Sequence, residues 1–366
     1  MLKILTPVAE SKHGYSYSTP LRVDKNSLSV VLPILRNTTI NRDYILWQET
    51  EKVMVFDTGK IDTMEAENLS DQNVFIRSGT LFKGATQERA LQRSAVLFPG
   101  KKVKLAVHCV HASRGISGQT EVKYGGITPL DFDAKNYTKD YAFQNQGATW
   151  SNVQKSTTEM NAKMGKVSAD TSHNQTMRHS MLRSRVAGGQ ALYASSLGSS
   201  GDMAADEAHI GSGASASAFT AGPGADDLHS TFSDFSKHFD DVLSKVKLIE
   251  NQAGLALITH AGVQTIEFFD HRFSWKALHD SAVKRLGNSI VDTGDTSVFE
   301  YKPDAAVAAV NRVMGLNFQE KNIWTHRPTN GEPRLEVTGL SCDDYVGEAV
   351  ELGDRLIHLV ILKLSK

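Results

Sequence analysis

Cysteine is nearly missing from this chain: Cys109 and Cys342 are the two present in 366 residues. That scarcity excludes a disulfide-rich scaffold and any multi-cysteine zinc or iron–sulfur centre, and both residues read as reduced thiols. Long apolar runs are missing too. No window approaches the ~18 apolar residues of a membrane-spanning helix, and the opening Met1-Leu2-Lys3-Ile4-Leu5-Thr6-Pro7 lacks the apolar core of a secretory signal. The expectation is a cytoplasmic protein without a membrane partner. A dominant charge sign is also lacking. Forty Lys plus Arg stand against 41 Asp plus Glu, leaving −1, so no global field points to nucleic acid. Finally, the common catalytic signatures do not occur. There is no Gly-x-Gly-x-x-Gly after a strand, no Gly-x-x-x-x-Gly-Lys-Ser/Thr, no His-Glu-x-x-His and no Gly-x-Ser-x-Gly. No metal site is marked and the residues name no cofactor.

What is present is a β-rich beginning and end around a different middle. Short β-branched and aromatic runs recur over the first 110 residues: Leu28 to Leu35, Tyr44 to Trp47, Lys52 to Phe56, Asn73 to Arg77, Ala95 to Phe98 and Val103 to Val110. Turn residues such as Asp57-Thr58-Gly59 and Phe98-Pro99-Gly100 separate them at the spacing of antiparallel strands. In the last run, Val103, Leu105, Val107 and Cys109 share one face by period-2 alternation, leaving His108 on the other. From about residue 112 to 230 the texture turns to Ser, Gly, Ala, Asn and Thr, and over residues 188–224 composition alone predicts disorder. Within it, Trp150, Val153, Thr157, Met160 and Met164 keep helical spacing with Gly165 as a stop.

Further on, Phe232, Phe235, Phe239, Val242 and Val246 predict a helix with Ser230 as its N-cap. Runs Leu255 to Thr259 and Val263 to Phe268 flank His260-Ala261-Gly262 like a hairpin, and Ser274 is placed to cap a helix ending before Gly287. Pro303 and Gly315 bracket another helix, and strands return over Arg334 to Leu340, Tyr345 to Leu352 and Leu356 to Leu362. The fold class is therefore α+β, mainly antiparallel sheet of sandwich or barrel type, with several helices and a long irregular Ser/Gly/Ala-rich insert. Its expected organisation is a β-rich lobe over residues 1–115, an irregular insert over 116–230 and an α+β lobe over 231–366 packed with the first.

Three polar constellations carry possible chemistry. Gly84-Ala85-Thr86-Gln87-Glu88-Arg89 combines close backbone approach, an amide, a carboxylate and a planar cation, which suits anion binding or acid–base work. An ion pair across a strand connection is the plainer reading. His108-Cys109-Val110-His111 suggests metal or thiolate chemistry, but a strand sends the two histidines to opposite faces, and Cys109 reads as a small buried hydrophobe. Asp270-His271-Arg272 sits at a strand-to-helix junction, where backbone donors can receive an anion or be satisfied by Asp270 as a cap. His358, inside an apolar strand, reads as a satisfied core histidine.

The order of these landmarks resembles a prokaryotic family, the ADP-ribosylglycohydrolase- and rhodanese-phosphatase-associated protein domain. That family shows Gly-Ala-Lys-Gln-Asp-Arg followed by a valine-rich strand ending Val-Ser-Cys-Val-Glu-x-x-Arg-Trp. Matching positions here are Gly84 to Arg89 and Val107-His108-Cys109-Val110-His111-Ala112-Ser113-Arg114, joined by Gln146-Gly147-Ala148-Thr149-Trp150, Gly254 to Ile258 and Glu267-Phe268-Phe269-Asp270. His111 stands where the family carries glutamate, and Gly115-Ile116 carries no tryptophan. The resemblance implies a domain that accompanies enzymes of ADP-ribose and phosphoryl metabolism. The leading expectation is thus a cytoplasmic accessory or ligand-binding protein, with Gly84, Gln87, Arg89 and Arg114 contacting a nucleotide or ADP-ribose-like anion. A second is a metal-independent hydrolase of a phosphorylated or ribosylated substrate, with Glu88 or Asp270 as base and His111 as acid. A third is a structural module that engages a partner protein or a second copy of itself.

Overall fold

A computed structural model describes residues 14–23, 29–37, 40–84, 88–110, 122–139, 142–165, 228–290, 303–326 and 332–365. The chain opens with strands β1 (Tyr15–Tyr17), β2 (Leu21–Arg22) and β3 (Val30–Arg36). A β-rich stretch follows, with β4 (Tyr44–Leu46), β5 (Val53–Asp57), β6 (Thr63–Asn68), β7 (Asn73–Ile76), β8 (Thr80–Lys83), β9 (Arg89–Leu91), β10 (Ala95–Leu97), β11 (Lys102–Cys109) and β12 (Lys123–Ile127). Helices α1 (Leu130–Asn136), α2 (Gln146–Lys163), α3 (Leu228–His238) and α4 (Asp240–Leu243) come next. The hairpin β13 (Gln252–Thr259) and β14 (Gly262–Phe269) leads into α5 (Arg272–Ile290) and α6 (Pro303–Met314). Strands β15 (Gln319–His326), β16 (Leu335–Ser341), β17 (Tyr345–Leu352) and β18 (Arg355–Lys363) close the described chain.

These strands form three sheets. The largest has nine strands in the order β1-β3-β13-β14-β18-β17-β16-β15, with β2 on β3, so strands from both ends of the chain share it. A six-stranded sheet runs β12-β8-β9-β11-β6-β5, and a three-stranded one runs β10-β7-β4. Every pairing is antiparallel except β4 with β7. The architecture is α+β and mainly antiparallel sheet, including one sheet curled as a half-barrel. The long insert, including residues 188–224, lies outside the described residues.

The nine-stranded sheet is covered on both faces, which is why its central strands read as unbroken apolar runs. Leu255, Leu257 and Phe269 face α5 with Trp275, Leu278 and Leu286, whereas Ala256, Phe268 and Ile361 face α6 with Val310 and Met314. The third apolar cluster fills the six-stranded sheet with Val55, Met64, Phe82, Leu105 and Val107, the face that alternation assigned to β11. Two helix boundaries differ from expectation. Ser230 lies within α3, and this helix breaks at Phe239 (φ −106°, ψ 21°) before α4. Ser274 lies within α5, and Gly287 does not stop it; a Cβ there would meet Phe235 Cε1 at 3.0 Å and Leu243 at 3.5 Å, so the glycine lets α5 press against α3 and α4.

Between the sheets lies a buried ion network. Glu267 on β14 receives Arg77 through both oxygens, Nε on Oε1 and Nη2 on Oε2 at 2.9 Å. Arg285 of α5 donates to Glu267 Oε2 at 3.1 Å and to Asp133 Oδ2 of α1 at 2.7 Å. Thr128 closes the set, its hydroxyl donating to Asp133 Oδ1 at 2.6 Å while its carbonyl accepts from Arg285 Nε at 3.4 Å. His358 Nε2 lies 3.1 Å from Glu267 Oε1. Burial lowers the pKa of the His358 imidazole, so the neutral ring donates to the carboxylate. Gly79 at φ +74° is required here, because an added Cβ would sit 2.5 Å from Thr128 Oγ1 and 3.2 Å from Arg77 Nη1. Burial opposes the Glu267 charge, yet Arg77, the His358 hydrogen bond and Arg285 outweigh it and hold the carboxyl well below its ordinary range.

Glu267→Gln should lower the unfolding free energy by about 3–5 kcal/mol at neutral pH, because two buried guanidiniums are left with Asp133 alone. The check is urea unfolding of both proteins. The Glu267 contribution exists above the unfolded carboxyl pKa of 4.5 and disappears as pH falls through the depressed folded value. The gap between the two proteins should therefore narrow on acidification below that point.

Candidate functional site

The described parts of two of these clusters, Glu88-Arg89 and His108-Cys109-Val110, are neighbours. Gly84, at φ +100°, follows β8. Arg89 pairs with Cys109 across β9 and β11, and Val110 N donates to Glu88 O at 3.0 Å. Gln146, opening α2, clamps the same edge: its Nε2 donates to Cys109 O at 2.7 Å and its Oε1 accepts from Cys109 N at 3.1 Å. Gln87, His111 and Arg114 lie outside the described residues. Arg89 is only 2% exposed. Its guanidinium meets Asp57 Oδ1 at 3.2 Å and donates to Thr63 O at 3.4 Å, tying β9 to β5 and β6. The cation therefore points into the fold, onto Asp57. Cys109 is fully buried. His108 lies against Phe143 at 5.0 Å and Phe132 at 6.1 Å, and burial lowers its pKa to about 4, so it is neutral near pH 7.

Asp270 sits elsewhere, where β14 turns into α5. Its backbone N–H donates to Ile357 O at 3.1 Å, and the carboxyl receives the Tyr44 hydroxyl on Oδ1 at 2.7 Å and forms an ion pair with Arg355, whose Nε lies 2.7 Å from Oδ2. Ser274 Oγ donates to the Tyr44 oxygen at 3.1 Å, fixing the phenol. Burial pushes the Asp270 carboxyl up to about 6, against the pull of Tyr44, Arg355 and Arg36. His271 acts as the cap of α5: its Nδ1 accepts from Phe273 N at 3.2 Å, so that nitrogen carries no proton. Burial and the neighbouring Arg42, Arg272 and Arg355 lower the His271 pKa.

Around this junction the fold gathers cations from distant segments. Arg355 also pairs with Asp43 and donates to Asn41 O at 2.8 Å, and Arg42 is held by Glu49. Arg36, at the end of β3, lies 4.3 Å from the Tyr15 ring centroid and meets no carboxylate at ion-pair distance among the described residues. Asn251 joins it to the next cation: Asn251 O accepts from Arg36 N at 2.9 Å, and Asn251 Oδ1 accepts from Arg272 at 2.6 Å. Arg272 in turn lies 5.2 Å from the ring of Phe273, which is 50% exposed. Two under-neutralised guanidiniums, the amino end of a 19-residue helix and an exposed aromatic ring thus share one end of the main sheet. Such an arrangement attracts an anion carrying a planar group.

The model of the ARG and Rhodanese-Phosphatase-superfamily-associated Protein domain (ARPP-1) matches residues 15–362. The chain belongs to this family. The matched span reaches from β1 into β18, so the ARPP-1 domain here contains all three sheets, the Arg89 edge and the Asp270 junction. No curated protein and no solved structure matches the chain. Among the described residues of this ARPP-1 domain, no three His, Cys, Asp or Glu are grouped to hold a metal ion, and no helix is long and apolar enough to cross a membrane.

Of the predicted residues, Asp270 stands at the cationic junction, whereas Glu88 and Arg89 stand at the six-stranded sheet. Sequence reasoning missed Arg36, Tyr44 and Arg355. The available signal was indirect: Arg355 opens β18, which pairs with β14 just before Asp270.

Because the folded Asp270 keeps its proton to about pH 6 and the unfolded carboxyl releases it near 3.8, its contribution to stability is present at low pH and lost as pH rises through about 6. Between about pH 5 and about pH 7 wild type should lose about 1–2 kcal/mol that Asp270→Asn does not lose. Urea unfolding of both proteins at the two pH values reads this difference.

Proposed function

We propose that this protein binds a small phosphate-bearing ligand of the nucleotide or ADP-ribose class at the Asp270 junction, and serves as an accessory protein to enzymes that handle such molecules. The observation that carries the reading is Arg36, a half-buried guanidinium whose charge is felt at Asp270 but which has no carboxylate at ion-pair distance among the described residues. Arg272 and the amino end of α5 add positive potential, and Phe273 offers a stacking face. Asp270 acts in this reading as a positioning residue, orienting Arg355 and Tyr44 rather than touching the ligand, since it is 1% exposed. The family description ties the domain to ARG and rhodanese-phosphatase proteins, which supports an accessory role. A cytoplasmic location and association with a partner protein or a second copy fit that role.

One observation favours the hydrolase reading: a carboxyl with a pKa of about 6 suits general acid–base catalysis near neutrality. In that case Arg355 must swing aside to admit substrate to Asp270. Calorimetric titration with ADP-ribose, NAD and inorganic phosphate, followed by a product assay on the same mixtures, separates the two. Saturable heat without product is the expected result, with Arg36→Ala and Arg272→Ala each weakening binding about tenfold. Product formed by wild type and lost in Asp270→Asn favours the hydrolase. No heat at millimolar ligand, or equal affinity in the double arginine variant, refutes ligand binding at this junction.

A further inference from the structure

Farther along α5 lies a cavity of about 510 Å³ between β12, α3 and α5. That size suits a small molecule, for which pockets of ~300–1,000 Å³ are usual. Along the helix axis Ser281 lies about 14 Å from Arg272, at ~1.5 Å per residue, so the cavity is distinct from the Asp270 junction. We infer that it is a second ligand site, and that it takes a phosphorylated sugar or a similar small phosphomonoester.

Two lysines supply the charge. Lys284 on α5 and Lys237 on α3 both line the cavity. Lys284 makes no ion pair among the described residues, and the Lys237 ammonium reaches Asp234 only at 4.0 Å. Asp240 also lines the space, so the walls carry two ammoniums against one carboxylate. This favours a single compact anion and disfavours a polyanionic strand. Ser281, one turn before Lys284, accepts the Tyr124 hydroxyl at 3.2 Å, which leaves its own hydroxyl hydrogen to donate into the cavity.

The opposite wall is backbone. The ladder between β12 and β8 shifts register between Tyr124 and Ile127, a bulge of one extra residue in which Gly125 and Gly126 together stand opposite Leu81. Gly126 has φ +100°, a conformation that favours glycine, and a Cβ there would meet nothing within 4 Å. Gly125 packs against Leu81 O, 3.1 Å from where a Cβ would be. A bare, bulged backbone beside lysines and hydroxyls can approach phosphate oxygens closely. The wall is also tied to the buried network. Thr128, just beyond the bulge, is bonded to both Arg285 and Asp133 of the buried network. Lysine point charges with rotating donors match the tetrahedral oxygens of a phosphomonoester, and the serine-rich walls match sugar hydroxyls.

The test is titration of the full chain with ribose 5-phosphate, with inorganic phosphate and unphosphorylated ribose as controls. Saturable binding of ribose 5-phosphate, weaker binding of phosphate and none of ribose are expected. Lys284→Ala and Lys237→Ala should each weaken it about tenfold, with unchanged urea midpoints because both side chains are exposed. Arg36→Ala should leave it unchanged, which keeps this site separable from the Asp270 junction. Two results overturn the inference: no saturation by ribose 5-phosphate at millimolar concentration, or a loss that follows Arg36→Ala and spares Lys284→Ala.

Discussion

Glu267 is the residue on which the described fold converges. It lies on the central hairpin of the nine-stranded sheet, and through Arg77 it reaches the segment after β7 in the three-stranded sheet. Through Arg285 and Asp133 it reaches α5, α1 and Thr128, which follows β12 of the six-stranded sheet. Burying such charges carries a large desolvation penalty, and a hydrophobic replacement of equal shape would often be as stable. What an apolar core would lack is direction. A guanidinium that must satisfy two carboxylates at fixed angles sets the register of one layer on another. The neighbouring polar chain repeats the theme: Glu348 of β17 accepts Ser94 N at 3.1 and 3.2 Å, and Ser94 Oγ accepts Ser78 N at 2.9 Å.

Helix α5 transmits this constraint to the surface. Its amino end frames the Asp270 junction, its middle holds Ser281 and Lys284 in the cavity wall, and Arg285, adjacent in sequence, enters the network. Both candidate sites are thereby mounted on an element whose rotation and height are set from inside. Glu267 and Asp270 also show how local the electrostatics are. Three residues apart at one strand end, the first is held ionised by two guanidiniums and the second is pushed up to about 6 by burial that Tyr44, Arg355 and Arg36 do not offset.

Much of the architecture was legible from periodicity. The runs Asn73 to Arg77, Ala95 to Phe98 and Val103 to Val110 fall on β7, β10 and β11, and the hairpin around Gly262 lies where its turn chemistry places it. Short or polar strands were not legible. Thr63–Asn68 alternates Met64 and Ala66 inward with carboxylates outward and contains no strong β-former beyond Thr63, while Arg89–Leu91 is too brief to show a period. Helix starts shifted because neither Ser230 nor Ser274 is the residue that caps; in α5 the preceding His271 does so through Nδ1. Asp270-His271-Arg272 was visible as a charged junction, but its partners were not, because Arg36 and Arg355 are separated from it by 234 and 85 positions.

By itself, then, the sequence determined the α+β class, the alternation that assigns one face of β11 to the core, and the places where charge clusters, since each depends on residues within a few positions of one another. Tertiary structure alone decided what those charges do. Arg89, which reads as an open anion contact, is turned inward onto Asp57; Asp270, which reads equally as a cap, is enclosed by Tyr44 and Arg355. The physical reason is that the protonation and availability of an ionisable group depend on burial and on charges within a few ångströms, and strand pairing brings those together from anywhere in the chain.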